Sequence, residues 1–258
     1  MKQPTQRFSD RVENYVKYRP TYPTTVLRLF QDKCGLTRES AAADVGSGTG
    51  ILSRLLLETG CTVFGVEPNE DMRKAAEDLL RGESRFISID GTAEHTTLQA
   101  ESVDFIAAAQ AFHWFDRPQA SAEFRRIARP DASAAILWNT RLAKETAFLR
   151  AYEELLIRYA PEYSVVDHRN VSTEEIKAFY LPSRFQYASF PNSQRFDFEG
   201  LKGRLLSSSY APNVNEPNHL SMMAELRRLF DEHEESGKVE FLYRTDVYYG
   251  SIRGQGQY

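Results

Sequence analysis

Residues Ala41 to Gly50, AAADVGSGTG, constrain the fold of this chain more than any other stretch. A short apolar run ends in the carboxylate Asp44. Gly46, Gly48 and Gly50 then alternate with the small residues Ser47 and Thr49, and an amphipathic helical pattern begins at Ile51. The stretch reads as strand, tight loop, helix. Glycines at alternate positions let the backbone turn sharply and approach a ligand closely, and a helix start presents free N–H groups there. The spacing narrows the choice of ligand. A dinucleotide fingerprint, G-x-G-x-x-G, needs a third glycine where Ile51 stands, or where Ser53 stands if counted from Gly48. A phosphate-cradling loop needs a lysine, and neither the loop nor the helix after it has one.

A second marker lies one βαβ unit downstream. Thr62 to Val66 is a short apolar strand with Glu67 at its carboxyl end, the place where doubly wound sheets position an acid to accept both ribose hydroxyls. DVGSGTG joined to this acid resembles the first motif of the class I, Rossmann-like methyltransferases that use S-adenosylmethionine, in which the loop holds the methionine and ribose parts of the cofactor. The resemblance implies an α/β fold. Its sheet is doubly wound, mostly parallel and seven-stranded with an antiparallel last strand, and helical caps are inserted after strands five and six.

Other segments extend the likeness. Tyr15 to Pro23 follows the pattern Y-x-x-x-R-P-x-Y-P, which resembles the entry segment of small-molecule enzymes related to trans-aconitate methyltransferase. Val12, Tyr15 and Val16 recur at helical spacing and Pro20 stops the helix. That segment is expected either to cap the sheet or to form a lid, with Tyr15, Tyr18 or Arg19 meeting carboxylates. Asp90-Gly91-Thr92-Ala93 follows the third strand. By the resemblance Asp90 takes the adenine amino group, and Ala93 leaves room for the ring. Gln110-Ala111-Phe112-His113-Trp114-Phe115-Asp116 follows the nearly all-apolar fourth strand and resembles the matching segment of the same subgroup. After Arg129-Pro130, Asp131-Ala132 stand where that subgroup usually has two glycines.

Composition adds exclusions. The 258 residues suit one domain with a cap, and a formal net charge of -4 lacks the basic excess that binding a nucleic-acid backbone needs. Cys34 and Cys61 are far apart with no metal spacing, and His95, His168, His219 and His233 show none either, so no metal is expected. Met1 to Asp10 is polar, and no apolar run approaches the ~18 residues of a membrane span. A cytoplasmic protein, monomeric or homodimeric, is expected.

The expected division is N-terminal lid helices over 1–35, a cofactor-binding core over 36–140, a helical cap over 141–183 and 198–237, and last strands over 184–197 and 238–253. The expected cofactor set is Asp44, Gly46, Ser47, Gly48, Gly50, Glu67, Pro68, Asp90, Gly91, Thr92, Ala93, Gln110, Ala111, Trp114 and Tyr18. His113 is the candidate general base, or else packs beneath the cofactor. Arg19 and Arg141 are candidates to clamp an anionic small-molecule acceptor. An RNA or protein methyltransferase and a non-catalytic cofactor-binding relative remain as alternatives.

Overall fold

Seven strands form one sheet in the order β3-β2-β1-β4-β5-β7-β6. The computed structural model describes residues 11–165 and 168–253. The expectation for Met1 to Asp10 lies outside these. The first five strands are β1 (Ala41–Val45), β2 (Thr62–Val66), β3 (Phe86–Ile89), β4 (Val103–Ala109) and β5 (Ala128–Arg141), joined in parallel. β6 (Gln186–Phe196) and β7 (Val239–Ser251) complete it, with β7 antiparallel to both β5 and β6. The expected fold class is therefore the observed one. Alternation along β1 sends Ala43 and Val45 to one face and Ala42 to the other, so every central strand is buried on both sides.

Helices cover the two faces. α1 (Val12–Tyr18) precedes α2 (Thr24–Cys34), and α2 packs with α3 (Ile51–Leu57) on one face through Val26, Phe30, Leu52 and Leu56. α4 (Glu70–Leu79) starts at Asn69, whose side chain accepts the Met72 N–H at 3.0 Å, as an N-cap should. α5 (Arg117–Ile127) lies on the opposite face. Its N-cap Asp116 accepts the Gln119 N–H. α6 (Ala147–Tyr159), α8 (Phe198–Leu206) and α9 (His219–His233) build a separate apolar cluster on the far ends of β6 and β7, around Tyr152, Leu201, Leu226 and Phe241.

One feature departs from the sequence reading, and two add detail to it. α7 (Thr173–Tyr180), inside the span assigned to the cap, packs on the sheet face with α5 through Ile176, Phe179 and Tyr180. Its capping box, Ser172 with Glu175, was present in the sequence as S-T-E-E. β5 begins at Ala128, directly after α5, because a register shift opposite Val103 and Phe105 absorbs Arg129 to Ala132 as a bulge. Neither Asp131 nor Ala132 takes positive φ there. β6 runs past Pro191 to Phe196, which an edge strand permits because its outer N–H groups have no partner to lose.

Candidate active site

The glycine loop and the first acid are tied together by backbone. Gly46 and Ser47 both donate their N–H to Val66 O, at 2.8 and 3.1 Å. Glu67 Oε2 accepts the Gly48 N–H at 3.0 Å while Oε1 accepts the Asn69 N–H at 2.9 Å. Burial raises the Glu67 carboxyl above its ordinary value, and the two N–H groups and Arg73 oppose that rise. Gly46 sits at φ +72, and a Cβ there would stand 2.6 Å from Ala111 Cβ. This glycine lets the loop touch the segment after β4.

Three connected lobes open at the carboxyl ends of β1, β2, β4 and β5, where open α/β sheets place ligands. The first, about 760 Å³, has Gly46, Gly48, Glu67, Pro68 and Met72 on one wall and Thr92, Glu94, Ala111, Trp114 and Phe115 on the other. The second, about 400 Å³, lies under Tyr22 and Arg19 and reaches Asp44, Gly46 and Ser47. The third, about 780 Å³, runs beneath the cap past His113, Trp114, Asn139 and Arg141. Tyr15 and Gln110 line all three, so they stand where the lobes meet. Gln110 adopts φ +57, a conformation costly for a residue with a Cβ.

Asp44 is fully buried and faces α3, where Ser53 Oγ donates to its Oδ2 at 2.7 Å. Its Oδ1 has no partner. Burial pushes this carboxyl up to about 7. A buried acceptor atom without a donor, at the edge of a lobe, suits a ligand ammonium. Together with the paired oxygens of Glu67 and the apolar slot against Met72 and Trp114, it fits the amino-acid, ribose and base parts of S-adenosylmethionine.

The third lobe carries a concentration of positive charge. Arg19, Arg141, Arg169 and Arg204 all line it. Glu153 pairs with both Arg141 and Arg169, the latter at 2.9 Å, and Tyr163 O–H also donates to Glu153 at 2.7 Å. Arg19 donates to Ser207 O at 2.9 Å and lies 4.7 Å over the Tyr15 ring. Arg204 donates to Tyr243 Oη at 3.2 Å and to Ser208 Oγ at 3.2 Å. Burial and the neighbouring Arg204 lower the Arg19 guanidinium below its ordinary value. Nε of Arg19 and Nε of Arg141 are buried with no acceptor.

The structure gathers most expected residues and leaves several out. Asp44, Gly46, Ser47, Gly48, Glu67, Pro68, Thr92, Gln110, Ala111 and Trp114 line the lobes. Asp90 does not: its side chain is 74% exposed and pairs with Arg73 at 3.0 Å on the outer surface. Gly91 packs against the Thr96 carbonyl, and Ala93 belongs to the sheet core. Gly50 packs on Leu80 and Ala76 rather than facing a lobe. Tyr18 is also out of the crevice, its ring lying on Gly203 and edge-on to Phe196. Glu94, Arg169, Arg204 and Tyr210 were not singled out from sequence. Glu94 had a signal, as the next acid in the same loop. The other three come from the cap, whose order is set by packing that no motif marks. His113 lies in the third lobe beside Trp114, ring centres 4.7 Å apart. Among the described residues no cluster of His, Cys, Asp or Glu could hold a metal, and no helix is long and apolar enough to cross a membrane.

A crevice built on a strand-end glycine loop, an acid on the next strand and a 3-2-1-4-5-7-6 sheet defines a Rossmann-like α/β protein. Residues 43–136 match the family model described as a methyltransferase domain. A Dictyostelium discoideum protein named as a methyltransferase is 30% identical over 196 residues, covering 72% of this chain and 71% of its own length. An uncharacterised methyltransferase of Mycobacterium tuberculosis is 35% identical over 135 residues, and the match spans 52% of each chain, about half the length of that relative. An Anaeromyxobacter dehalogenans structure described as a type II methyltransferase superposes with TM-score 0.64 at 24% identity, covering 91% of this chain and 98% of that one. The chain belongs to the class I S-adenosylmethionine-dependent methyltransferases.

Proposed function

We propose that this enzyme transfers the methyl group of S-adenosylmethionine to a small anionic acceptor held in the arginine-lined lobe. The cofactor, when bound, supplies a methyl group on a sulfonium, already a good leaving arrangement. Gly46 to Gly48, Glu67, Pro68, Thr92, Ala111 and Trp114 hold the adenosyl part. Asp44 takes the ammonium, and Glu94 replaces Asp90 as the carboxylate on the adenine wall. Tyr15 and Gln110 stand at the junction through which the two ligands face each other. The protein's task is to align the two reactants and exclude water, for which orientation contributes roughly 7–11 kcal/mol.

One observation carries the acceptor class: four guanidiniums line one cavity, and among the described residues Glu153, behind the lining, is the carboxylate that pairs with two of them, Arg141 and Arg169. Each close guanidinium–carboxylate contact is worth roughly 4 kcal/mol at an effective dielectric constant of about 20, before desolvation. An ionised carboxylate acceptor attacks without a base, so His113 serves to shape the lobe beside Trp114. The positive charge lies inside the cavity beneath the cap rather than along an open rim, which favours a small molecule over RNA or a protein. An acid acceptor also agrees with the likeness to the trans-aconitate-methyltransferase subgroup. Calorimetry with S-adenosylhomocysteine, followed by a mass-spectrometric screen of small carboxylic acids and phenols, tests this reading. Methylation of neutral phenols alone, with every acid inert, would overturn it.

A further inference from the structure

Arg204, near the end of α8, lines the arginine lobe and neither of the other two. The residue is only 6% exposed, yet among the described residues it pairs with no carboxylate. Two of its three nitrogens are held by neutral oxygens. Nε donates to Tyr243 Oη at 3.2 Å, and Nη1 donates to Ser208 Oγ at 3.2 Å and to Ser207 Oγ at 3.5 Å. These oxygens are themselves fixed. Tyr243 O–H donates to Gln194 Oε1 at 3.2 Å, and Ser207 O–H donates to Arg204 O at 2.7 Å. Arg11 donates to the carbonyls of Leu206, Ser208 and Ala211 at 3.2, 2.5 and 2.6 Å, which anchors the serine loop. That leaves Nη2, with its two N–H groups, without an acceptor among the described residues.

The other three guanidiniums of the lobe are differently placed. Arg141 and Arg169 share Glu153, the latter at 2.9 Å, and each also donates to Tyr163 Oη at 2.8 Å. One carboxylate therefore answers both, and the Arg169 side chain is 43% exposed besides. Arg19 donates Nη2 to Ser207 O at 2.9 Å and lines the second lobe as well, beside Asp44 and Ser47. Its position is thus shared with the donor's side of the crevice.

We propose that Arg204 is the specificity-determining residue of the acceptor site: Nη2 receives the acceptor's anionic group, while Tyr243 and Ser208 hold the planar fork ready for it. A fork fixed in advance loses little freedom when the anion arrives. A buried cation met only by hydroxyl oxygens opposes folding, and an incoming anion offsets that cost. A neutral acceptor brings no such offset, so the site discriminates by charge. Lysine at this position would keep the charge but lose the fork and the two side-chain partners that orient it. The inference rests on the anionic-acceptor reading above.

The test titrates the intact protein with succinate by calorimetry and melts each variant without ligand. Arg204→Met is expected to bind succinate about tenfold or more weakly, and to melt no lower than the wild type, because it removes a buried charge that no carboxylate answers. Arg204→Lys is expected to recover part of that loss and not all of it. Arg169→Met, which removes a cation already paired with Glu153, is expected to lose about threefold. Ser208→Ala keeps the charge and the cap while taking one acceptor from Nη1, and is also expected to lose about threefold. Succinate affinity unchanged in Arg204→Met, or falling equally in Arg204→Met and Arg169→Met, overturns the role of Arg204 alone. So does a loss in Arg204→Met that comes with a lower melting temperature and with full binding in Ser208→Ala, since that pattern marks a structural residue. Succinate and sulfate both failing to bind the wild type overturns the anionic-acceptor reading as well.

Discussion

Replacing Asp44 by asparagine probes the donor site through pH. The asparagine oxygen still accepts from Ser53, so the bond at 2.7 Å is kept while the charge is removed. The wild-type carboxyl is pushed by burial from its usual 3.8 to about 7. Its folded value therefore lies above its unfolded one, and the native state holds the proton more tightly. The resulting stabilisation is complete below the unfolded value and is lost as pH rises through the folded one. The interval corresponds to roughly 4 kcal/mol. Urea denaturation across this range should show the wild type losing up to about that much relative to Asp44→Asn as pH rises from 4 to 8. Glu67, whose carboxyl burial also raises, is present in both proteins. Ligand binding should run the opposite way. An ammonium placed against Oδ1 favours the ionised carboxylate, so S-adenosylhomocysteine should bind the wild type less well as pH falls below about 7, and bind the variant weakly with little pH dependence. A stability difference between the two proteins that does not change with pH would refute the argument, because the orphan oxygen would then be solvated or paired.

Three further substitutions separate the parts of the site. Glu67→Ala removes a carboxylate placed to accept two hydroxyls. At ~1.5–3 kcal/mol per charge-assisted bond, calorimetry should show S-adenosylhomocysteine affinity falling by about 100-fold or more. Asp90→Ala should leave that affinity and the stability within about 0.5 kcal/mol of wild type, since the side chain is 74% exposed and faces Arg73. Gly203→Ala puts a methyl group 2.0 Å from Tyr18 Cε2, which must move α1 or the ring. A thermal melt should report a loss of about 1–3 kcal/mol, and adding Tyr18→Ala should recover part of it.

The parts of this molecule that were legible in its sequence are those where local rules and tertiary demands agree. The glycine loop, Glu67, the Asn69 cap and the buried β4 run into Gln110 each announce a backbone requirement, and each stands where its pattern put it. Asp90 was placed by position alone, and its side chain turns to Arg73, held in turn by Glu67 O at 2.8 Å. The acceptor lobe was least legible. Arg19 and Arg141 were visible beside recognised elements, but Arg169 and Arg204 converge on them only through packing of α6, α8 and α9 around Phe241 and Tyr243.

That convergence also argues that the charge serves binding rather than stability. Among the described residues neither Arg19 nor Arg204 meets a carboxylate, and each is buried enough that desolvation opposes its charge. Buried cations without a partner cost several kcal/mol, and apolar replacements of similar volume usually stabilise a fold. A cap assembled only to cover the sheet would fare better with leucine or methionine at both positions. The topology explains why the charge collects here. β5, β6 and β7 run longer than the other strands, at 14, 11 and 13 residues, and the chain leaves both β5 and β6 at the ligand-binding edge of the sheet. The residues inserted there line the lobe beside Gln110, and Arg204 reaches it without meeting a carboxylate among the described residues.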